Sequence, residues 1–203
     1  MRRGDPYAGQ PGRRLFVALP LPADAVEAVT DLVATVRADE LPAGMHDVRW
    51  VRLDGLHLTL RFLGPTLDER IGPTVDAVRR AARAGSPIDA VLGGAGTFPP
   101  HGRPRTLWIG VPSGDGEIAQ LARTANDELL EAGWPLDDRP VRAHLTLARS
   151  DGLVAGSLVA GRLAAALGDR SIPCRLERLV LYESITGGGP ARYAPVETAD
   201  LGR

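Results

Sequence analysis

Two histidines of this chain open the same tetrapeptide. His57-Leu58-Thr59-Leu60 stands inside GLHLTLRFLG, and His144-Leu145-Thr146-Leu147 stands inside RAHLTLARS, 87 residues further on. The chain has only four histidines. One such copy reads as an ordinary strand with alternating polar and apolar residues. The repetition is what points to chemistry. Alternate side chains of a strand share a face, so His57 and Thr59 point one way while Leu58 and Leu60 point into the core. His144 and Thr146 obey the same rule. If an approximate two-fold axis relates the copies, both His-Thr faces meet across one cleft. Imidazole titrates near neutral pH. One neutral and one protonated ring together supply a general base and a general acid. Two threonine hydroxyls can donate to two anionic oxygens. A phosphodiester carries two such oxygens, between an attacking and a leaving group. This set needs no metal.

Other chemistries find less support. The chain has no HExxH, no cysteine partner for a metal and no third histidine in register. No metal and no other cofactor is therefore expected. His46 and His101 fall in loop-like contexts and read as surface residues, although His101, in PPHGRPR, is placed where it can approach a ligand. There is no GxSxG nucleophile turn. The runs LGGAG and TGGGP lack the Gly-Lys-Ser/Thr ending of a phosphate loop and read as bulges or turns.

The elements that must position the two copies can be read along the chain. Arg14 to Leu21 is an apolar strand closed by Pro20 and Pro22. Val26, Val29, Leu32, Val33 and Val36 then form a helical stripe. Asp47 to Leu53 is extended, and Asp54-Gly55 predicts a hairpin turn into the first HLTL strand. A second helix carries Ile71, Val75, Val78 and Ala82. Ile88 to Phe98 predicts a strand broken at Gly93-Gly94. Arg105 to Val111 is another strand, and Ile118, Leu121, Ala122, Ala125 and Leu129 mark a third helix that stops at Gly133 and Pro135. After the second HLTL strand come a helix over Leu153 to Leu167, a strand over Leu176 to Tyr182, and an edge segment from Ala191 to Val196. Strand, helix and strand recur around each HLTL without a linker between the halves. Short connections of this kind predict an α+β architecture with mostly antiparallel sheets.

Composition sets the boundaries. The 203 residues are 44% hydrophobic and 24% charged, enough for a sizeable core. The net charge of −1 gives no global basic field, and every one of the 24 basic side chains is arginine. Arginines flank both motifs (Arg49, Arg52, Arg61; Arg139, Arg142, Arg149) and predict a local basic cleft. The single cysteine, Cys174, permits no internal disulfide and fits a reducing cytoplasm. No apolar run reaches the length of a membrane span. Residues 1–12 carry arginines without a following apolar segment and read as a flexible arm before one bilobal unit over 13–203.

Five segments in order, RLFVALPLP, VRWVRLDGLHLTLRFLG, GTFPPHGRPRTLWIGV, DDRPVRAHLTLAR and LVLYES, give the chain a family resemblance. It resembles the two-histidine (2H) phosphoesterases, and among them the bacterial and archaeal RNA 2′,3′-cyclic phosphodiesterases, formerly called 2′-5′ RNA ligases. The resemblance covers about residues 13–197. It implies the bilobal 2H fold: two facing antiparallel sheets, outer helices and a pseudo-two-fold axis. It implies metal-independent hydrolysis of a terminal RNA 2′,3′-cyclic phosphate to a 2′-phosphomonoester, with weak reverse 2′-5′ joining of RNA ends. His57 would then be the acid that protonates the departing 3′ oxygen, and His144 the base that activates water. Thr59 and Thr146 would hold the phosphate oxygens. Arg149 matches an arginine that approaches substrate in relatives. Strict alternation nevertheless puts Arg149 on the wrong face, while Arg142 and Arg61 have the cleft parity. A bulge would be needed to turn Arg149 inward.

The tail SITGGGPARY departs from relatives, which often carry an aliphatic residue and a proline there, and this bears on base recognition. The expected partners are RNA ends bearing a 2′,3′-cyclic phosphate, tRNA halves among them, met by a monomer away from any membrane. Two other readings stay open. One is a 2H activity on a small cyclic phosphate, such as ADP-ribose 1″,2″-cyclic phosphate, or on a 2′-5′ oligonucleotide. The other is a non-catalytic RNA-binding module, against which the intact His and Thr of both copies speak.

Overall fold

The computed structural model describes residues 10–38, 48–187 and 189–203. His46 and most of the expected N-terminal arm lie outside them; Gln10 to Gly12 are exposed and lead into the first strand. The described residues form nine strands and four helices: β1 (Arg13–Pro20), α1 (Ala23–Ala38), β2 (Val48–Trp50), β3 (His57–Thr66), α2 (Asp68–Ala84), β4 (Ile88–Phe98), β5 (Thr106–Ser113), α3 (Asp115–Glu131), β6 (His144–Ser150), α4 (Leu153–Leu167), β7 (Ile172–Leu176), β8 (Arg178–Ile185) and β9 (Arg192–Asp200).

All pairings are antiparallel, in the order β7-β4-β5-β6-β3-β1-β8-β9, with β2 added beside β6. The two expected sheets are the halves of this order. They join at one pair, Leu58 opposite Leu145, at the start of the two HLTL strands. Each half therefore presents its HLTL strand at the shared seam. The helices are exchanged between halves. α1 comes after β1 of one half but packs with α4 over the other, against β7. α3 comes after β5 and packs with α2 on the first half, against β3. This reciprocal exchange ties the halves together beyond the single seam.

Amphipathic periodicity explains the helix positions. The α3 stripe Ile118, Leu121, Ala122, Ala125 and Leu129 is buried in full. In α1, Val29, Leu32, Val33 and Val36 are buried, while Val26 is only partly so. The four HLTL leucines, Leu58, Leu60, Leu145 and Leu147, all belong to the core. Each contributes about 1.5–3 kcal/mol through its removal from water, and this burial fixes which face their histidines take.

Local expectations are corrected in three places. Asp54-Gly55 closes a short 3-10 turn, Leu53–Gly55, and not a hairpin; β2 pairs with β6 instead of β3, a long-range choice that the turn residues do not reveal. Gly93-Gly94 does not break β4; the strand absorbs a register shift there. The segment read as one strand from Leu176 to Tyr182 spans the end of the edge strand β7 and the start of β8.

Candidate active site

The two HLTL strands open onto one cleft of about 640 Å³, lined among others by His57, Thr59, His144, Thr146 and Arg149. The structure thus brings together all five residues singled out from the sequence. His101 is exposed and is not part of the lining.

The histidines are held alike. His57 Nδ1 lies 2.7 Å from the carbonyl oxygen of Gly55, and His144 Nδ1 lies 2.7 Å from that of Arg142. A carbonyl can only accept, so Nδ1 donates in both rings. That leaves Nε2 of each as the nitrogen available to a ligand. The charge of His144 is felt at His57, where it lowers the pKa. Burial is the larger cause of that lowering, and the Gly55 bond opposes it. The pKa of His144 is also lowered, chiefly by burial and further by Arg149, against the Arg142 bond. Among the described residues, neither the Thr59 nor the Thr146 hydroxyl is engaged by another group. Both are free to donate.

A matched pair of bulges sets the direction of the residues beyond each motif. Thr59 stands opposite Ala18 and Arg61 opposite Val17, so β3 holds one extra residue, Leu60. Thr146 stands opposite Trp108 and Ala148 opposite Leu107, so β6 holds one extra residue, Leu147. A bulge reverses the parity of the strand beyond it. The residue five beyond each histidine thereby turns into the cleft: Phe62 in one copy and Arg149 in the other. Arg149 Nη1 donates to Thr106 Oγ1 at 3.1 Å.

The same reversal sends Arg61 to the opposite face. Expected in the cleft by parity, it is 5% exposed and donates to Asn126 Oδ1 at 2.9 Å and to the carbonyl of Pro135. Arg142 is exposed and lends the cleft only its carbonyl. The remaining flanking arginines are tied to carboxylates: Arg49 to Asp151, Arg52 to Asp54 and Arg139 to Asp137. The predicted basic cleft is reduced to Arg149 and Arg14, which lies at the rim beside Thr186.

Sequence reasoning missed the aromatic lining. All three phenylalanines of the chain, Phe16, Phe62 and Phe98, face this cleft. His57 has Phe16 at 4.9 Å, Tyr193 at 4.8 Å and Tyr182 at 5.9 Å between ring centroids. His144 has Phe98 edge-on at 4.9 Å and Trp108 at 6.3 Å. Phe62 is 61% exposed, an open aromatic face at the mouth. Their scarcity is the signal that could have found them, because aromatic residues make up 4% of the chain. Among the described residues, no three His, Cys, Asp or Glu side chains gather as metal ligands would, and no helix is long and apolar enough to cross a membrane.

The chain is similar to known proteins in sequence and in fold. A family model described as the 2'-5' RNA ligase superfamily matches residues 22–188. An RNA 2',3'-cyclic phosphodiesterase of Geobacillus stearothermophilus is 30% identical over 134 residues, which are 66% of this chain and 41% of that protein. One from Archaeoglobus fulgidus is 32% identical over 136 residues, 67% of this chain and 72% of its own length. Among solved structures, Escherichia coli LigT complexed with 3'-AMP superimposes with a TM-score of 0.67 at 25% identity, covering 94% of this chain and 99% of that one.

Proposed function

The chain belongs to the 2'-5' RNA ligase superfamily, and on that premise we propose that it hydrolyses the terminal 2′,3′-cyclic phosphate of RNA to a 2′-phosphomonoester. The observation that carries the reading is the pair of rings, each locked through Nδ1 to a backbone carbonyl two residues upstream, facing one cleft with two unengaged threonine hydroxyls. The names of the Geobacillus and Archaeoglobus relatives support it.

In this reading His144 Nε2 takes a proton from water as its oxygen bonds to phosphorus. The bond from phosphorus to the 3′ oxygen breaks, and the protonated Nε2 of His57 gives that oxygen its proton. The phosphate stays on the 2′ oxygen. Thr59 and Thr146 donate to the two non-bridging oxygens, and Arg149 adds its positive charge as negative charge builds. The roles are those that the family resemblance implies, and the neighbours are compatible with them. Arg149 disfavours a proton on His144, which suits a base. At His57 burial is the main cause of the lowered pKa and the charge of His144 adds to it; a neutral His144 and a bound phosphate anion act the other way and favour the protonated form. The buried, unpaired thiol of Cys174 fits a reducing compartment.

The test is an oligonucleotide ending in a 2′,3′-cyclic phosphate. A product that gains the mass of one water and then loses phosphate to a phosphomonoesterase is expected, and activity should survive dialysis against EDTA. A strict requirement for an added divalent metal would overturn the two-histidine mechanism.

A further inference from the structure

Beside the main cleft lies a smaller polar annex of about 160 Å³, lined by Arg52, Asp54, Gly55, Arg192 and Tyr193. Gly55 and Tyr193 line both spaces. Gly55 is also the residue whose carbonyl holds His57. The annex therefore opens on the His57 side of the cleft.

Its charge is positive in balance. Arg52 grips Asp54 through a two-point fork, Nε to Oδ1 at 3.1 Å and Nη2 to Oδ2 at 2.5 Å. This uses the carboxylate and leaves Nη1 of Arg52 to donate elsewhere. Arg192 is exposed, and no ion pair holds it among the described residues. Its charge still reaches the annex: the Asp54 carboxyl is held below its ordinary pKa, first by the Arg52 bond and also by Arg192. Two guanidinium groups against one carboxylate leave one surplus positive charge beside Tyr193.

The reaction says which anion belongs there. In-line displacement puts the attacking water and the departing 3′ oxygen on opposite sides of phosphorus. With water at His144, the 3′ oxygen and its ribose lie at His57. The rest of an RNA chain hangs from that ribose through the 5′ oxygen, so it leaves the cleft on the His57 side, where the annex is. We propose that Arg192 and Arg52, beside Tyr193, form a second phosphate subsite that takes the phosphodiester joining the terminal nucleotide to the penultimate one. This inference rests on the cyclic phosphodiesterase reading. It makes the protein a reader of RNA chains in preference to cyclic mononucleotides.

The test compares kcat/KM for a 2′,3′-cyclic mononucleotide and for a dinucleotide ending in the same cyclic phosphate. Wild type should prefer the dinucleotide. Arg192→Ala should lower dinucleotide kcat/KM by about three- to tenfold, as expected for one lost charge-assisted contact on an open surface. Arg192→Glu should lower it further, Arg192→Lys should retain most of it, and mononucleotide turnover should stay within about twofold. The logarithmic salt dependence for the dinucleotide should become shallower by about 0.7 in Arg192→Ala, the value for one phosphate contact on a single strand. These variants keep the fold within reach of measurement, because Arg192 contributes to β9 through its backbone pairing with Ile185. The subsite is overturned if wild type shows no dinucleotide preference, or if Arg192→Ala lowers both substrates equally or neither. Failure of the underlying reading looks different: wild type would then hydrolyse neither substrate.

Discussion

The first and second HLTL strands share a tetrapeptide, a ring lock and a bulge, and they differ in the residues beyond. Four residues after the histidine, the first copy has Arg61 and the second Ala148, both buried. Five residues after it, the first copy turns Phe62 into the cleft and the second turns in Arg149. The rings around the histidines diverge in the same sense. His57 sits among Phe16, Tyr182 and Tyr193, whereas His144 has two aromatic neighbours and a cation. Repetition sets the geometry of two equivalent nitrogens. The neighbours then make them unequal. An aromatic side suits a nucleoside, and a cationic side suits a water that must lose a proton near negative oxygens.

The strongest way to break the comparison is to remove one ring at a time. If the two copies hold different proton roles, neither can replace the other. His57→Ala and His144→Ala should each lower kcat/KM by about 10²- to 10⁴-fold on a 2′,3′-cyclic phosphate end. The double variant should lose less than the product of the two, since residues acting as a unit are not additive. Near wild-type activity in either single variant would reduce that HLTL to a strand.

The threonines should behave alike, because the proposed mechanism gives them the same role. In it each donates one bond to an anionic oxygen, worth roughly 1.5–3 kcal/mol. Thr59→Ala and Thr146→Ala should therefore each cost about ten- to a hundredfold in kcat/KM, by similar factors. A large loss in one and none in the other would mean that only one half holds the phosphate.

How much of this was legible depends on the range of the interaction. The core faces came from alternation, since Leu58, Leu60, Leu145 and Leu147 are all buried. The α3 stripe was legible for the same reason. Alternation failed where the bulges begin, at Leu60 and Leu147, because an inserted residue leaves no mark in the hydrophobic pattern. Alternation therefore gives Arg61 the wrong face, and it admits Arg149 only through the bulge that β6 contains. Arg52 and Arg139 were assigned to the cleft, yet each has a carboxylate two residues away, Asp54 and Asp137, that takes its charge. That neutralisation was readable. The pairing of β2 with β6 was not, because their partners are about a hundred residues apart in sequence.

The contrast between Arg61 and Ala148 predicts an effect on stability. Arg61 reaches from β3 to Asn126 on α3 and to the carbonyl of Pro135, in the loop before β6. Asn126 Nδ2 in turn donates to the carbonyl of Asp137 at 3.3 Å. Arg61→Ala would leave these acceptors without their donor at a cost of about 1–3 kcal/mol. For a chain of this size that is a fall of roughly 3–10 °C in Tm. Thermal melting of Arg61→Ala checks it. An unchanged Tm would mean that the second tie between the halves carries no weight.

The smallest effect is the most informative about proton roles. Both histidines have pKa values below the ordinary imidazole value, mainly through burial. The bell in kcat/KM, which reports the free enzyme, should accordingly be centred on the acidic side of that value. Arg149 is an additional cause of lowering at His144. Removing its charge in Arg149→Ala makes the protonated ring less costly, so the pKa of His144 must rise. One limb of the bell should move to higher pH while the other stays nearly fixed. The height of the bell should fall as well, because Arg149 lines the cleft in which the proposed mechanism holds the phosphate, but the position of the limb is the readout. Arg149→Lys keeps the charge and should leave the limb where it is in wild type. The imidazole C2 protons, followed by NMR against pH, identify the ring that moved. If His144 titrates higher and the mobile limb moves with it, the cation does set the difference between the two copies. If neither limb moves, or both move together, the unlike chemistry of two like strands has some other source than the residue five positions on.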